Sequence, residues 1–150
     1  MEKVKLQAQY GLYINGQWRD ASDGATYNAE SPADGSHLAV CAQGSREDVE
    51  AASAAAWEAF KTWKKTTPAQ RAALLNKIAD IIDANKEHLA MVESMDNGKP
   101  IRETMNVDIP MAAEHFRYFA GCILAEEGQA SVLNEQFLSI ILREPIGVVG

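Results

Sequence analysis

Three histidines and two cysteines are the residues best equipped for chemistry, because imidazole and thiolate are the usual ligands of a tetrahedral metal ion. Their spacing does not serve one: His37, Cys41, His88, His115 and Cys122 form no C-x-x-C or H-x-x-x-H pair. His115 and Cys122 share a helical face, but seven residues of helix rise roughly 10 Å, too far for one ion. The plainer reading is partly exposed histidines and buried structural cysteines in apolar surroundings. Gly98-Lys99 resembles the close of a phosphate loop, yet Glu93 stands where its first glycine belongs, and Pro100 where a magnesium-holding Ser or Thr belongs. A helix stop accounts for Gly98 and Pro100 without a ligand. Gly147-Val-Val-Gly150 lacks the G-x-G-x-x-G spacing and a following helix. No G-x-S-x-G occurs, and Ser45 and Thr67 read as helix caps. Asp80 with Asp83, and Glu126 with Glu127, read as solvated helix faces. Taken alone, these residues point to no catalytic and no cofactor-binding group within the chain.

The whole composition narrows the setting. The 150 residues carry 14 Lys plus Arg against 21 Asp plus Glu, a formal charge of −7, which argues against a nucleic-acid partner. With 47% hydrophobic and 23% charged residues, the chain has the mixture of an ordinary globular protein. The longest strongly apolar stretch, Phe137 to Leu142, is far short of the roughly 20 residues a bilayer core requires, so no membrane association is expected. The N-terminal run from Met1 lacks the apolar core of a secretory signal, and two cysteines make no disulfide framework; a cytoplasmic location is expected.

The elements that would position any site follow from periodicity. Apolar residues flank Asn15-Gly16, so Leu12 to Trp18 reads as a β-hairpin. Thr26 to Pro32 reads as extended, Ala33-Asp-Gly35 as a turn, and His37 to Ala42 as a short strand. Ser45 can cap a helix from about Arg46 to Lys65, with Glu47 and Asp48 suited to its first turn and Val49, Ala52, Ala56, Phe60 and Trp63 at helical spacing. Thr67-Pro68-Ala-Gln70 reads as a capping box opening a helix with a stripe of Leu74, Leu75, Ile78, Ile81 and Ile82. Asn85 can cap its continuation to Met95, which ends at Gly98. A third helix is expected from about Asp108 to Glu126, with Pro110 near its start and Ile109, Ala112, Ala113, Phe116, Ala120 and Ile123 on one face. Gln136 to Arg143 reads as a strand apolar on both faces, which needs cover or an edge partner. Pro145 to Gly150 reads as the start of another buried strand, an unusual place for a domain to stop.

The ordered motifs resemble the N-terminal segment of the NAD(P)-dependent aldehyde dehydrogenase superfamily. They are Leu12-Tyr-Ile-Asn-Gly-Gln-Trp18, Ser31-Pro-Ala-Asp-Gly35, Arg46-Glu-Asp-Val49, Ala56-Trp-Glu-Ala-Phe60 with Trp63, and Pro68-Ala-Gln-Arg71. They continue with Met95-Asp-Asn-Gly-Lys-Pro100, Phe116-Arg-Tyr-Phe-Ala-Gly121 and Arg143-Glu-Pro-Ile-Gly-Val-Val-Gly150. Asn97 to Thr104 and His115 to Phe119 are most similar to bacterial acetaldehyde-oxidising members.

The resemblance implies an α/β, aldehyde dehydrogenase-like fold, of which this chain is the N-terminal part. Residues 1–130 would belong to the cofactor-binding domain, 131–144 to a subunit-bridging oligomerisation strand, and 145–150 to the first strand entering a truncated Rossmann core. It further implies an enzyme whose thiolate attacks an aldehyde, whose hydride passes to NAD or NADP, and whose glutamate activates the hydrolysing water. The family's nucleophile, base and cofactor loops all come after the position matching Gly150. Neither Cys41 nor Cys122 takes the nucleophile's place, so the 150 residues alone should be inactive. The expected partners are an aldehyde in the full-length enzyme and further copies of the chain through Phe137 to Arg143. Some members hold a structural monovalent cation; the matching positions here are Ala29 and Glu30, through carbonyls, and Asp96. The alternative is a short non-catalytic interaction module that associates with a full-length relative.

Overall fold

A computed structural model describes residues 4–150. Residues 1–3, which open both the run read as lacking a secretory signal and the 1–130 unit, lie outside the described residues. The chain begins with β1 (Gln9–Tyr10), then β2 (Leu12–Ile14) and β3 (Gln17–Arg19), which pair antiparallel with Ile14 opposite Gln17. Asn15 at φ 52° and Gly16 at φ 78° both take the left-handed conformation that a two-residue hairpin turn requires. β4 (Thr26–Glu30) and β5 (His37–Ala42) pair antiparallel, and β1 adds parallel to the other side of β5, giving the order β1-β5-β4. The β4–β5 register shifts between Ala29 and Glu30.

Helix α1 (Arg46–Trp63) starts at a Ser45 capping box, and α2 (Pro68–Ala84) at the expected box of Thr67 with Gln70. α3 (Lys86–Asn97) ends on Gly98 at φ 76°, where a Cβ would be strained. Asn85 differs from its expected role: it closes α2, and its Nδ2 donates back to the Ile81 carbonyl at 2.8 Å instead of capping α3. The last long helix starts where its periodicity predicts, but helical backbone already precedes it. A single turn, α4 (Ile101–Glu103), passes through a π-helical turn (Thr104–Asp108) into α5 (Ile109–Ala125). Pro110 supplies the reason, since it has no N–H and its ring collides with the carbonyl four residues back; widening the helix relieves both.

A strand not legible in the sequence, β6 (Gln129–Asn134), pairs antiparallel with β7 (Phe137–Ile141). Asn134 closes this hairpin by accepting from the N–H groups of Gln136 and Phe137 at 2.9 and 3.1 Å. Residues 142–150 form no regular element, so the strand expected at Pro145 to Gly150 is not paired here. Gly147 lies against the Trp57 ring, with 3.0 Å between the ring and the place a Cβ would occupy.

The buried apolar residues are alanines: Ala21, Ala39, Ala42, Ala72, Ala79, Ala90, Ala113 and Ala120. α2 packs along α5, and the residues buried on the two helices are small: Ala72 and Ala79 on α2, Ala113 and Ala120 on α5. The larger residues of the predicted stripes are less buried than their spacing implies: Val49, Trp63, Leu74 and Ile81 all stay exposed. Periodicity reports only that a face exists, not that anything covers it. No helix among the described residues is long and apolar enough to cross a membrane.

Candidate functional site

The end of β4 and the C-terminus of α3, which carry the three positions expected to hold a cation, are neighbours in the fold. β4 is an outer strand, so only one of its edges is engaged by β5 and alternate carbonyls stay outside the ladder. The register shift at Ala29 and Glu30 adds a local break in pairing there. Across from it, Gly98 approaches Pro32 so closely that a Cβ would lie 3.0 Å from Pro32 Cγ. The Asp96 carboxylate is near enough to β4 that it helps raise the Tyr27 hydroxyl pKa, after the larger effects of the adjacent Cys41 thiol and of burial. The turn holding Asp96 is fixed: Gly98 N–H donates to the Ser94 carbonyl at 3.1 Å, and Lys99 N–H to Asn97 Oδ1 at 2.8 Å. Lys99 also pairs with Asp108, which raises its pKa through the hydrogen bond it makes there. Two carbonyls, a carboxylate and the negative end of a helix dipole are all-oxygen, hard and anionic, a donor set suited to an alkali cation.

Among the described residues, no glycine-rich turn after a strand opens a helix onto a phosphate. His37, His88 and His115 are all exposed, and no three His, Cys, Asp or Glu among the described residues converge on a metal position. Cys122 corrects the reading of two buried cysteines. It is exposed on α5 beside Tyr118, whose pKa its thiol raises, while Cys41 is half-buried in β5.

The most tightly held charge is one that spacing did not single out. Asp48, in the first turn of α1, is 2% exposed yet ionised. Its carboxylate accepts from the N–H of Ser45 and of Ser22, each at 3.0 Å, from both serine hydroxyls, and from the Arg19 guanidinium at 3.2 Å. The backbone donors of Ser45 and Ser22 outweigh desolvation and hold its pKa down at about 2. The only sequence signal was its place three residues after the Ser45 cap. Thr104 is likewise fully buried, donating to the Ala90 and Ile101 carbonyls, with no sequence signal at all.

The β6–β7 hairpin offers a different kind of site. Val132, Leu133, Phe137, Leu138, Ile140 and Ile141 are each more than half exposed, on both faces. Such a surface is complete only when something covers it.

The chain matches known proteins over nearly its whole length. The aldehyde dehydrogenase family profile matches residues 18–150. The long-chain-aldehyde dehydrogenase of an Acinetobacter species is 47% identical over 148 residues, which are 99% of this chain and 29% of that protein. The acetaldehyde dehydrogenase of Pseudomonas aeruginosa is 44% identical over 98% of this chain and 29% of its own length. The crystal structure of an NAD-dependent aldehyde dehydrogenase from Sinorhizobium meliloti superposes with a TM-score of 0.85 at 35% identity, covering 91% of this chain and 28% of that one. The chain thus spans about three tenths of the length of these relatives.

Proposed function

We propose, from the premise that this chain belongs to the aldehyde dehydrogenase family, that its residues are scaffold for an enzyme oxidising an aldehyde to a carboxylic acid with NAD or NADP. The fold corresponds to an N-terminal part of the aldehyde dehydrogenase fold, and it brings together no nucleophile with a base among its described residues. The observation that carries the scaffold reading is the alanine-lined helical layer with its larger apolar residues still exposed, a surface shaped to receive further chain. When bound, the nicotinamide would accept hydride; the residues here would instead order the layer beside its sheet. Residues 1–130 would be the N-terminal part of the cofactor-binding domain, 131–144 the subunit-bridging oligomerisation strand, and 145–150 the first strand entering the truncated Rossmann core. Ala29, Glu30 and Asp96 would hold a structural monovalent cation, tying β4 to α3. The partners are an aldehyde and further copies of the chain, and the setting is cytoplasmic.

The test is an assay of the 150-residue polypeptide and of the polypeptide isolated from its native source, each with short and long aldehydes and with both cofactors, alongside intact mass. The expected result is no turnover by the 150 residues and aldehyde-dependent reduction of NAD or NADP by a native species far heavier than 16.4 kDa. Turnover by the 150 residues would overturn the scaffold reading. A native species of 16.4 kDa without activity would favour the interaction module, which the same exposed hairpin supports.

A further inference from the structure

The sequence holds two Asn-Gly dipeptides, Asn15-Gly16 and Asn97-Gly98, and both asparagines are exposed. From their unlike surroundings we propose that Asn15 is a site of spontaneous deamidation and that Asn97 is protected from it. In this reaction the glycine amide nitrogen, giving up its proton, attacks the asparagine Cγ. A carbon–nitrogen bond forms, the side-chain nitrogen leaves as ammonia, and a succinimide ring results. Water then opens the ring to aspartate or isoaspartate, with no oxidant or reductant involved. The step needs a free glycine N–H and a side-chain amide free to turn toward it.

At Asn97 neither is free. Gly98 N–H donates to Ser94 at 3.1 Å, Asn97 Oδ1 accepts from Lys99 N–H at 2.8 Å, and Asn97 Nδ2 donates to Glu93 at 3.4 Å. Asn97 is also the last residue of α3, so attack would require the helix end to unwind. At the β2–β3 turn, no hydrogen bond among the described residues engages either the Asn15 side chain or the Gly16 N–H. Glycine is small enough there for its nitrogen to be approached, with nothing within 4 Å of where a Cβ would be. The product has a consequence for the fold. Isoaspartate inserts a methylene into the backbone of a two-residue turn whose register pairs Ile14 with Gln17, and a new carboxylate appears above the Ala52, Ala55 and Ala59 face of α1.

The test is incubation of the intact, folded chain in mildly alkaline buffer, followed by tryptic mapping for a gain of about one dalton and for isoaspartate. The peptides of residues 6–19 and 87–102 each contain a single asparagine, so the two sites are read separately. Asn15 should convert about tenfold or more faster than Asn97, because opening the α3 terminus breaks hydrogen bonds before attack can start. In strong denaturant the two rates should converge, since the dipeptides are the same. Equal rates in the folded chain, or a ratio that persists in denaturant, would overturn the assignment. An Asn15→Gln control should lose the fast conversion while leaving the Asn97 rate unchanged.

Discussion

Asp48 shows how one residue can join three segments. Its carboxylate serves the α1 cap, the Ser22 loop and the Arg19 end of the first hairpin, so its removal breaks several part-buried hydrogen bonds at once. Asp48→Ala is expected to lower the melting temperature by about 5 °C or more. Because its pKa falls from 3.8 in the unfolded chain to about 2 when folded, its contribution is fully present above pH 3.8 and is lost as the pH falls through about 2. Melting curves for parent and variant should therefore differ at neutral pH and converge near pH 2; a constant difference would show that the carboxylate's charge is not what stabilises. Asp96 makes a second residue-level case. Potassium should raise the melting temperature relative to a choline salt of equal ionic strength, and Asp96→Ala should abolish the difference. The same response in both proteins would remove Asp96 from the cation site. The Ser45 cap and the Thr67 capping box were legible in the sequence because they are local. That Asp48 is buried was not, because its donors lie on Ser22 and Arg19, more than 25 residues away.

At the scale of elements, α2 and α5 are held by close approach more than by charge. Ala79 is 0% and Ala113 is 1% exposed, so a larger side chain at either has nowhere to go. Arg117 on α5 bridges Asp80 and Asp83 on α2 at 2.9 and 2.7 Å, but all three side chains are well exposed. Ala79→Leu should cost about 1–3 kcal/mol by overpacking, and Arg117→Ala less than about 1 kcal/mol. Denaturant midpoints would rank them, and a larger effect at Arg117 would mean that the ion pairs govern the packing. The inward face of α5 was readable from its spacing, and the residues predicted for it are all buried or half-buried. The helical turn from Ile101 that precedes it was not readable, since the π turn before Pro110 interrupts the 3.6-residue period on which such readings depend.

For the whole molecule, the question is what covers the apolar surface. A two-stranded hairpin is marginal in water, and β6–β7 exposes Phe137, Leu138, Ile140 and Ile141 together. Sedimentation should show concentration-dependent association, and a Leu138→Lys, Ile140→Lys double variant should shift the chain toward monomer. A parent chain that stays monodisperse and monomeric at high concentration would contradict the bridging role of residues 131–144. By itself, the sequence determined the family, the first hairpin, the starts of α1 and α2 and the strand at Phe137. Each of these depends on residues close together in the chain, through turn chemistry, capping or short periodicity. Only the tertiary structure decided that α3's end lies beside β4, that Asp48 sits at the junction of three segments, and that alanines form the buried surface. Those outcomes depend on which distant segments touch, and a local pattern of apolar and polar residues can declare a face without naming its partner.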